Sequence, residues 1–170
     1  MHMHRLEKLW MFIGGGTLLF FLIVLGIGAF IQGAQPPSCL TVIDPQRVEA
    51  HDPFKEENLG LQEVEGGDLD YVVNVVASAF NYDFGKDEEG NVVRKIRIPA
   101  GSKVMFQGTT KDVVHGFQVA GTNANMMLEP GYINQVEVTL DNPGVYTIVC
   151  NEYCGTGHQF MTAQVEVYEE

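Results

Sequence analysis

Apolar positions along the chain follow two distinct rhythms. From Leu9 to Ile31 the run LWMFIGGGTLLFFLIVLGIGAFI contains no charged residue. At about 1.5 Å per residue a helix of that length crosses a hydrocarbon core roughly 30 Å thick, so the run predicts one transmembrane helix over 9–31. A cleaved signal peptide would have a shorter apolar core of about 7 to 15 residues and a small-residue cleavage site. Gln35-Pro36-Pro37-Ser38 is a poor cleavage site, and Ser38-Cys39 lacks the small and aliphatic residues expected before a lipoprotein cysteine.

The second rhythm begins near residue 69. Apolar residues there recur with period two or in short Val- and Ile-rich runs, broken by Gly, Pro and Asn, which is the grammar of strands. The pattern predicts strands over 71–80, 92–98, 103–107, 113–119, 133–140, 145–149 and 162–168, with turns at Glu129-Pro130-Gly131 and Asp141-Asn142-Pro143-Gly144. About seven short strands with almost no helix signal imply an all-β sandwich or barrel. Between the two rhythms, 32–68 carries Pro36, Pro37, Pro45 and Pro53 and a run of acidic residues, and reads as a connector. The expected organisation is therefore an amino-terminal tail over 1–8, a membrane helix over 9–31, a connector over 32–68 and a β-domain over 69–170. No repeat or low-complexity tract argues for another architecture.

Charge orients this plan. Arg5 and Lys8 flank the short end of the helix, which places that end in the cytoplasm and the β-domain outside. From Ala34 onward there are 8 Lys and Arg against 21 Asp and Glu, a more negative balance than the −12 of the whole chain. Such a field argues against nucleic acid as a partner and suits a basic one, although an acidic surface also serves solubility alone.

Candidate chemistry gathers in CNEYCGTGHQFM, which holds Cys150, Cys154, His158 and Met161, with His115 in a β-rich segment upstream. Two thiolates, two imidazoles and a thioether make a copper site. A mononuclear blue copper site needs one cysteine, so the second thiolate points to bridging sulfurs, two copper ions and one imidazole on each. Outside the cytoplasm two close cysteines are ordinarily a disulfide, but a disulfide gives no reason for His158 and Met161 to follow at these intervals. Cys39 has no evident partner and reads as a free or structural thiol. The ligand set falls on strand ends and a loop, a usual place for a functional site.

The pattern C-x-E-x-C-x3-H-x2-M, with DVVHGFQV upstream and PGVYTIVC leading in, resembles the CuA domain of subunit II of haem-copper respiratory oxidases. The resemblance covers most of the chain. It implies a cupredoxin-like Greek-key β-barrel or sandwich after the single helix. It also implies Cys150 and Cys154 as bridging thiolates, His115 with Met161 on one copper, and His158 with the Glu152 carbonyl oxygen on the other. In larger oxidases the carboxylate at the position of Glu152 resembles a magnesium ligand, with a solvated loop carboxylate as the alternative here. Family members mostly have two transmembrane helices, and the single one here points to the B-type, ba-type branch. VIDPQRVEAHDPF and Glu7-Lys8-Leu9-Trp10 agree with that branch. Glu7 matches a carboxylate at the mouth of the proton channel, with an interfacial headgroup position as its alternative and Trp10 as an aromatic anchor. Phe80, Tyr82 and Phe84 in AFNYDF stand where the family has a tryptophan-containing electron-entry cluster and are expected to form a surface aromatic patch near the copper, with core packing as the alternative for Phe80, whereas Met126 and Met127 read as packing or loop residues.

The function so implied is that of a non-catalytic electron-transfer subunit. It would take electrons from cytochrome c or a similar carrier and pass them to haem in subunit I for O2 reduction coupled to proton pumping. A small extra subunit would be a further partner, and the location would be the plasma membrane of a prokaryote. The CuA subunit of a nitric oxide reductase would use the same wiring. A nitrous oxide reductase would need a propeller domain, and a membrane-anchored copper chaperone would carry its histidine far downstream.

Overall fold

The computed structural model describes residues 4–31, 38–87 and 89–169, without the side chains of residues 38–40. It contains two compact units, 1–35 and 36–170.

The first unit is the helix α1, Arg5–Phe30, the one helix among the described residues long and apolar enough to cross a membrane. It starts four residues before the uncharged run because a reciprocal cap builds an extra turn. The His4 imidazole accepts the Leu6 N–H at 3.3 Å, while the Glu7 carboxylate accepts the His4 N–H at 2.9 Å. These bonds satisfy amide donors that a helix start leaves without partners. None of the helix is buried within the chain, which suits a candidate membrane span.

The second unit consists of strands β1 (Ser38–Val42), β2 (Gly60–Glu63), β3 (Tyr71–Ser78), β4 (Asn81–Asp83), β5 (Lys95–Pro99), β6 (Ser102–Thr110), β7 (His115–Val119), β8 (Asn125–Leu128), β9 (Tyr132–Leu140), β10 (Gly144–Val149) and β11 (Thr162–Tyr168). They form two sheets, β1-β9-β6-β3-β2 with β4 on the flank of β3, and β5-β11-β10-β7-β8. Most neighbours are antiparallel, but β3 runs parallel to β6 and β5 parallel to β11. The all-β expectation holds, in a cupredoxin-like sandwich.

Between the sheets lies the main core, with Val73, Val75, Phe106, Phe117, Ile148 and Val165 among its fully buried members. Successive strand residues point to opposite faces, so β3 needs cover on both sides to bury the unbroken run Val73–Ala77. The residues read as a connector supply that cover. Ile43, Val48 and Phe54 pack with Val76 and Ile133 into a second cluster. Three short 3-10 turns, Val48–Ala50, Asp52–Phe54 and Glu56–Asn58, carry two of these side chains inward. The 32–68 stretch also contributes β1, paired with β9, and β2, paired with β3. Single apolar residues among prolines and acids carry no period, which is why the sequence concealed this layer. The side chain of Cys39 lies outside the described residues.

The stretch expected as one strand over 71–80 breaks after Ser78 and resumes as β4. Tyr82 and Phe84 point into the main core and are 2 % and 1 % exposed, so they form no surface aromatic patch. Met126 is buried and Met127 exposed on β8, an alternation typical of a strand rather than a loop.

Candidate metal centre

Strands β10 and β11 are adjacent and antiparallel, in unbroken register from Gly144 opposite Val167 to Val149 opposite Thr162. The loop 150–161 closes this hairpin. Its ends are pinned by the Cys150 N–H, which donates to the Met161 carbonyl at 3.3 Å, and its last part turns tightly through His158–Phe160. On the other side of β10 runs β7, whose first residue is His115.

This arrangement brings the sequence-selected donors together. The Cys150 and Cys154 sulfurs are 3.7 Å apart and unbonded, and both thiols are free and buried. Cys154 Sγ lies 3.6 Å from His158 Nδ1 and 3.9 Å from Met161 Sδ. The Cys150 thiol donates to the Glu152 carbonyl oxygen at 3.1 Å. The ligand atoms of His115, Cys150 and Cys154 all fall within 4.8 Å of one another. The Glu152 carboxylate joins no such cluster among the described residues, so a magnesium ion there has no support. Glu7 belongs to the helical unit.

His115 is fully buried, and its two nitrogens have different surroundings. Nε2 lies 2.8 Å from Asp112 Oδ1, while Nδ1 has no hydrogen-bond partner. A carboxylate accepts only from a ring N–H, so the proton belongs on Nε2 and Nδ1 keeps a lone pair. A buried polar atom without a partner is costly. A metal ion in reach of the thiols would satisfy it, and the soft donor set suits copper.

Several neighbours that carried no signal in the sequence hold these donors. Burial opposes ionisation of Asp112, but hydrogen bonds from His115, from the Ala79 and Val113 amides and from the Thr110 hydroxyl hold its carboxyl below the usual range. The Gly116 N–H donates to Cys150 Sγ at 3.4 Å. Residue 116 has to be glycine, because a Cβ would lie 1.8 Å from Asn151 Oδ1. The Tyr82 hydroxyl donates to the Gly116 carbonyl, and burial first, then the neighbouring Cys150 sulfur, pushes its pKa far up. Burial likewise pushes the Cys154 thiol up to about 11, with Cys150 adding to the effect. Metal binding must therefore expel a proton, so acid opposes loading. Tyr153 and Phe160 are exposed beside His158, the Tyr153 ring 5.8 Å from the imidazole.

One candidate membrane helix among the described residues and a cupredoxin-like domain with a thiol- and imidazole-bearing loop define a redox-metal type of domain. Residues 68–168 match the family model for the periplasmic domain of cytochrome c oxidase subunit II. The chain is 34 % identical to a cytochrome c oxidase subunit 2 of Thermus thermophilus over 165 residues, covering 96 % of this chain and 92 % of that one. A second Thermus thermophilus subunit 2 is 36 % identical over 137 residues, with 81 % and 93 % covered. A chain in the cryo-EM structure of a haem-copper terminal oxidase dimer superposes with a TM-score of 0.74 at 32 % identity, covering 96 % of this chain and all of that one. The chain belongs to the cytochrome c oxidase subunit II family, and copper and electron transport follow from that membership.

Proposed function

We propose that this chain receives single electrons from cytochrome c or a similar small carrier and delivers them to haem in a partner subunit I. His115, Cys150, Cys154, His158, Met161 and the Glu152 carbonyl oxygen would hold a binuclear copper centre. When bound, the two ions supply a one-electron couple shared between metals. The observation that carries the proposal is buried His115, whose Nδ1 has no partner and which lies with two unbonded thiols in one cluster of ligand atoms within 4.8 Å of one another. The chain's own part is to present two sulfurs and two imidazoles from a hairpin on a rigid sandwich. The exposed rings of Tyr153 and Phe160 would keep water from the side where a partner docks. The helix would anchor the domain to a prokaryotic plasma membrane, amino terminus inside. The one candidate span among the described residues supports the ba-type branch, and the similarity to subunits named for cytochrome c oxidase supports dioxygen, rather than nitric oxide, as final acceptor.

Metal analysis and electron paramagnetic resonance of the purified full-length chain test the centre. Two copper ions per chain and a mixed-valence signal delocalised over both are expected. One copper, or none with a Cys150 to Cys154 disulfide, would overturn the proposal. Asp112→Ala is expected to weaken copper retention about 10- to 100-fold, the usual cost of losing a carboxylate behind a metal-binding imidazole. Chelator competition measures this, and an unchanged retention would remove Asp112 from the account.

Glu7 is proposed as the proton intake at the cytoplasmic edge. In the assembled oxidase Glu7→Gln is expected to slow proton uptake and leave the copper spectrum alone. Equal uptake rates in the two proteins would reduce Glu7 to its role as a helix cap.

A further inference from the structure

Phe80 is the one non-glycine residue with positive φ among the described residues, at 101°. A side chain makes that conformation costly, and such outliers persist where the surroundings impose them. Here the surroundings are specific. The Phe80 N–H donates to the Ser78 carbonyl at 2.8 Å, closing a three-residue turn between β3 and β4. The preceding amide, Ala79 N–H, donates to Asp112 Oδ2 at 2.6 Å. The other oxygen of that carboxylate lies against His115 Nε2, so one side chain ties the strained turn to a metal-site imidazole.

The turn aims the Phe80 ring at the loop that carries the other donors. A Cβ on Gly157 would lie 2.5 Å from Phe80 Cδ2 and 2.6 Å from Cγ, and one on Gly155 would lie 3.2 Å from the far edge of the ring. Gly157 has φ −98°, open to any residue, so the ring is what demands glycine there. The segment between Cys154 and His158 is Gly-Thr-Gly, which has little side chain of its own to hold it and high backbone freedom.

We propose that Phe80 is a positioning residue whose ring, held in a strained turn anchored by Asp112, clamps the Cys154–His158 segment so that its donors keep their places with or without metal. The role in the metal site rests on the copper reading, whereas the clamp itself does not. A loop held this way moves little when an electron arrives, so the strain at Phe80 is the cost of a rigidity that electron transfer needs.

The test uses the full-length chain in detergent with Phe80→Ala, Phe80→Gly, Gly157→Ala and the Phe80→Ala/Gly157→Ala pair. Amide exchange in the metal-free protein is read at His158, Phe160 and Met161, which donate to Gly155, Gly157 and His158 carbonyls. Phe80→Ala and Phe80→Gly are expected to speed exchange there by roughly tenfold or more while β6 and β9 amides keep their rates, as a local opening does. Glycine accepts the turn's φ, so Phe80→Gly melts no lower than Phe80→Ala although it frees the loop equally. Gly157→Ala alone is expected to disturb the copper spectrum and to have little further effect once the ring is gone, a non-additivity that marks direct contact. Unchanged loop exchange in both Phe80 variants, or the same Gly157→Ala effect in both backgrounds, would overturn the clamp. A wild-type chain that takes up no copper would instead overturn the metal reading, and the exchange measurement would still decide the clamp.

Discussion

Cys154→Ser is expected to abolish the two-copper, mixed-valence signal while leaving the β-domain folded. Cys154 is the hub of the donor set, with its sulfur 3.7 Å from Cys150, 3.6 Å from His158 and 3.9 Å from Met161. A serine hydroxyl fills nearly the same space. It is a hard donor that stays protonated, and it cannot share electron density between two ions as a thiolate does. The variant should bind at most one copper per chain by metal analysis, and its metal-free unfolding should stay close to wild type. A two-copper spectrum surviving in Cys154→Ser would sink the bridging role.

Phe117→Ala carries the largest expected cost in stability, about 3–5 kcal/mol for emptying an aromatic site in a close-packed core. Phe117 is fully buried at the centre of the sandwich. The Tyr82 ring meets it edge-on at 5.7 Å, and the Phe106 ring lies tilted at 5.3 Å. Phe117 sits two residues beyond His115 on β7, and Tyr82 bonds the intervening Gly116, so the void should also loosen the strand that presents the imidazole. Urea unfolding of the metal-free chain measures the loss. A cost below about 1 kcal/mol would mean that the site collapses without penalty, against what its packing predicts.

The donors were legible in the sequence because copper chemistry restricts residue type and a hairpin loop restricts spacing. Both constraints leave marks in a string of letters. Strand β11 was equally plain, since it buries one face and leaves the other wet. What supports the donors was not legible. Asp112 acts through a carboxylate that reaches His115, Ala79 and Val113 at once, and only the three-residue interval to His115 hinted at it. Phe80 was legible only as part of an aromatic stretch, because a positive φ in a residue other than glycine leaves no mark on composition. The short strands β2, β4 and β8 pair at flanks or edges and are too brief for a period to stand out. The layer formed by Ile43, Val48 and Phe54 depends on long-range packing that no local pattern encodes.

The uninterrupted ladder beneath the loop has an evolutionary consequence. Because Val149 faces Thr162 directly under Cys150 and Met161, residues within 151–160 can be lengthened or exchanged without disturbing the pairing below. A single insertion within β10 or β11 would instead turn every later side chain of that strand to the opposite face. Selection can therefore revise the chemistry of this cassette while the sandwich stays constant.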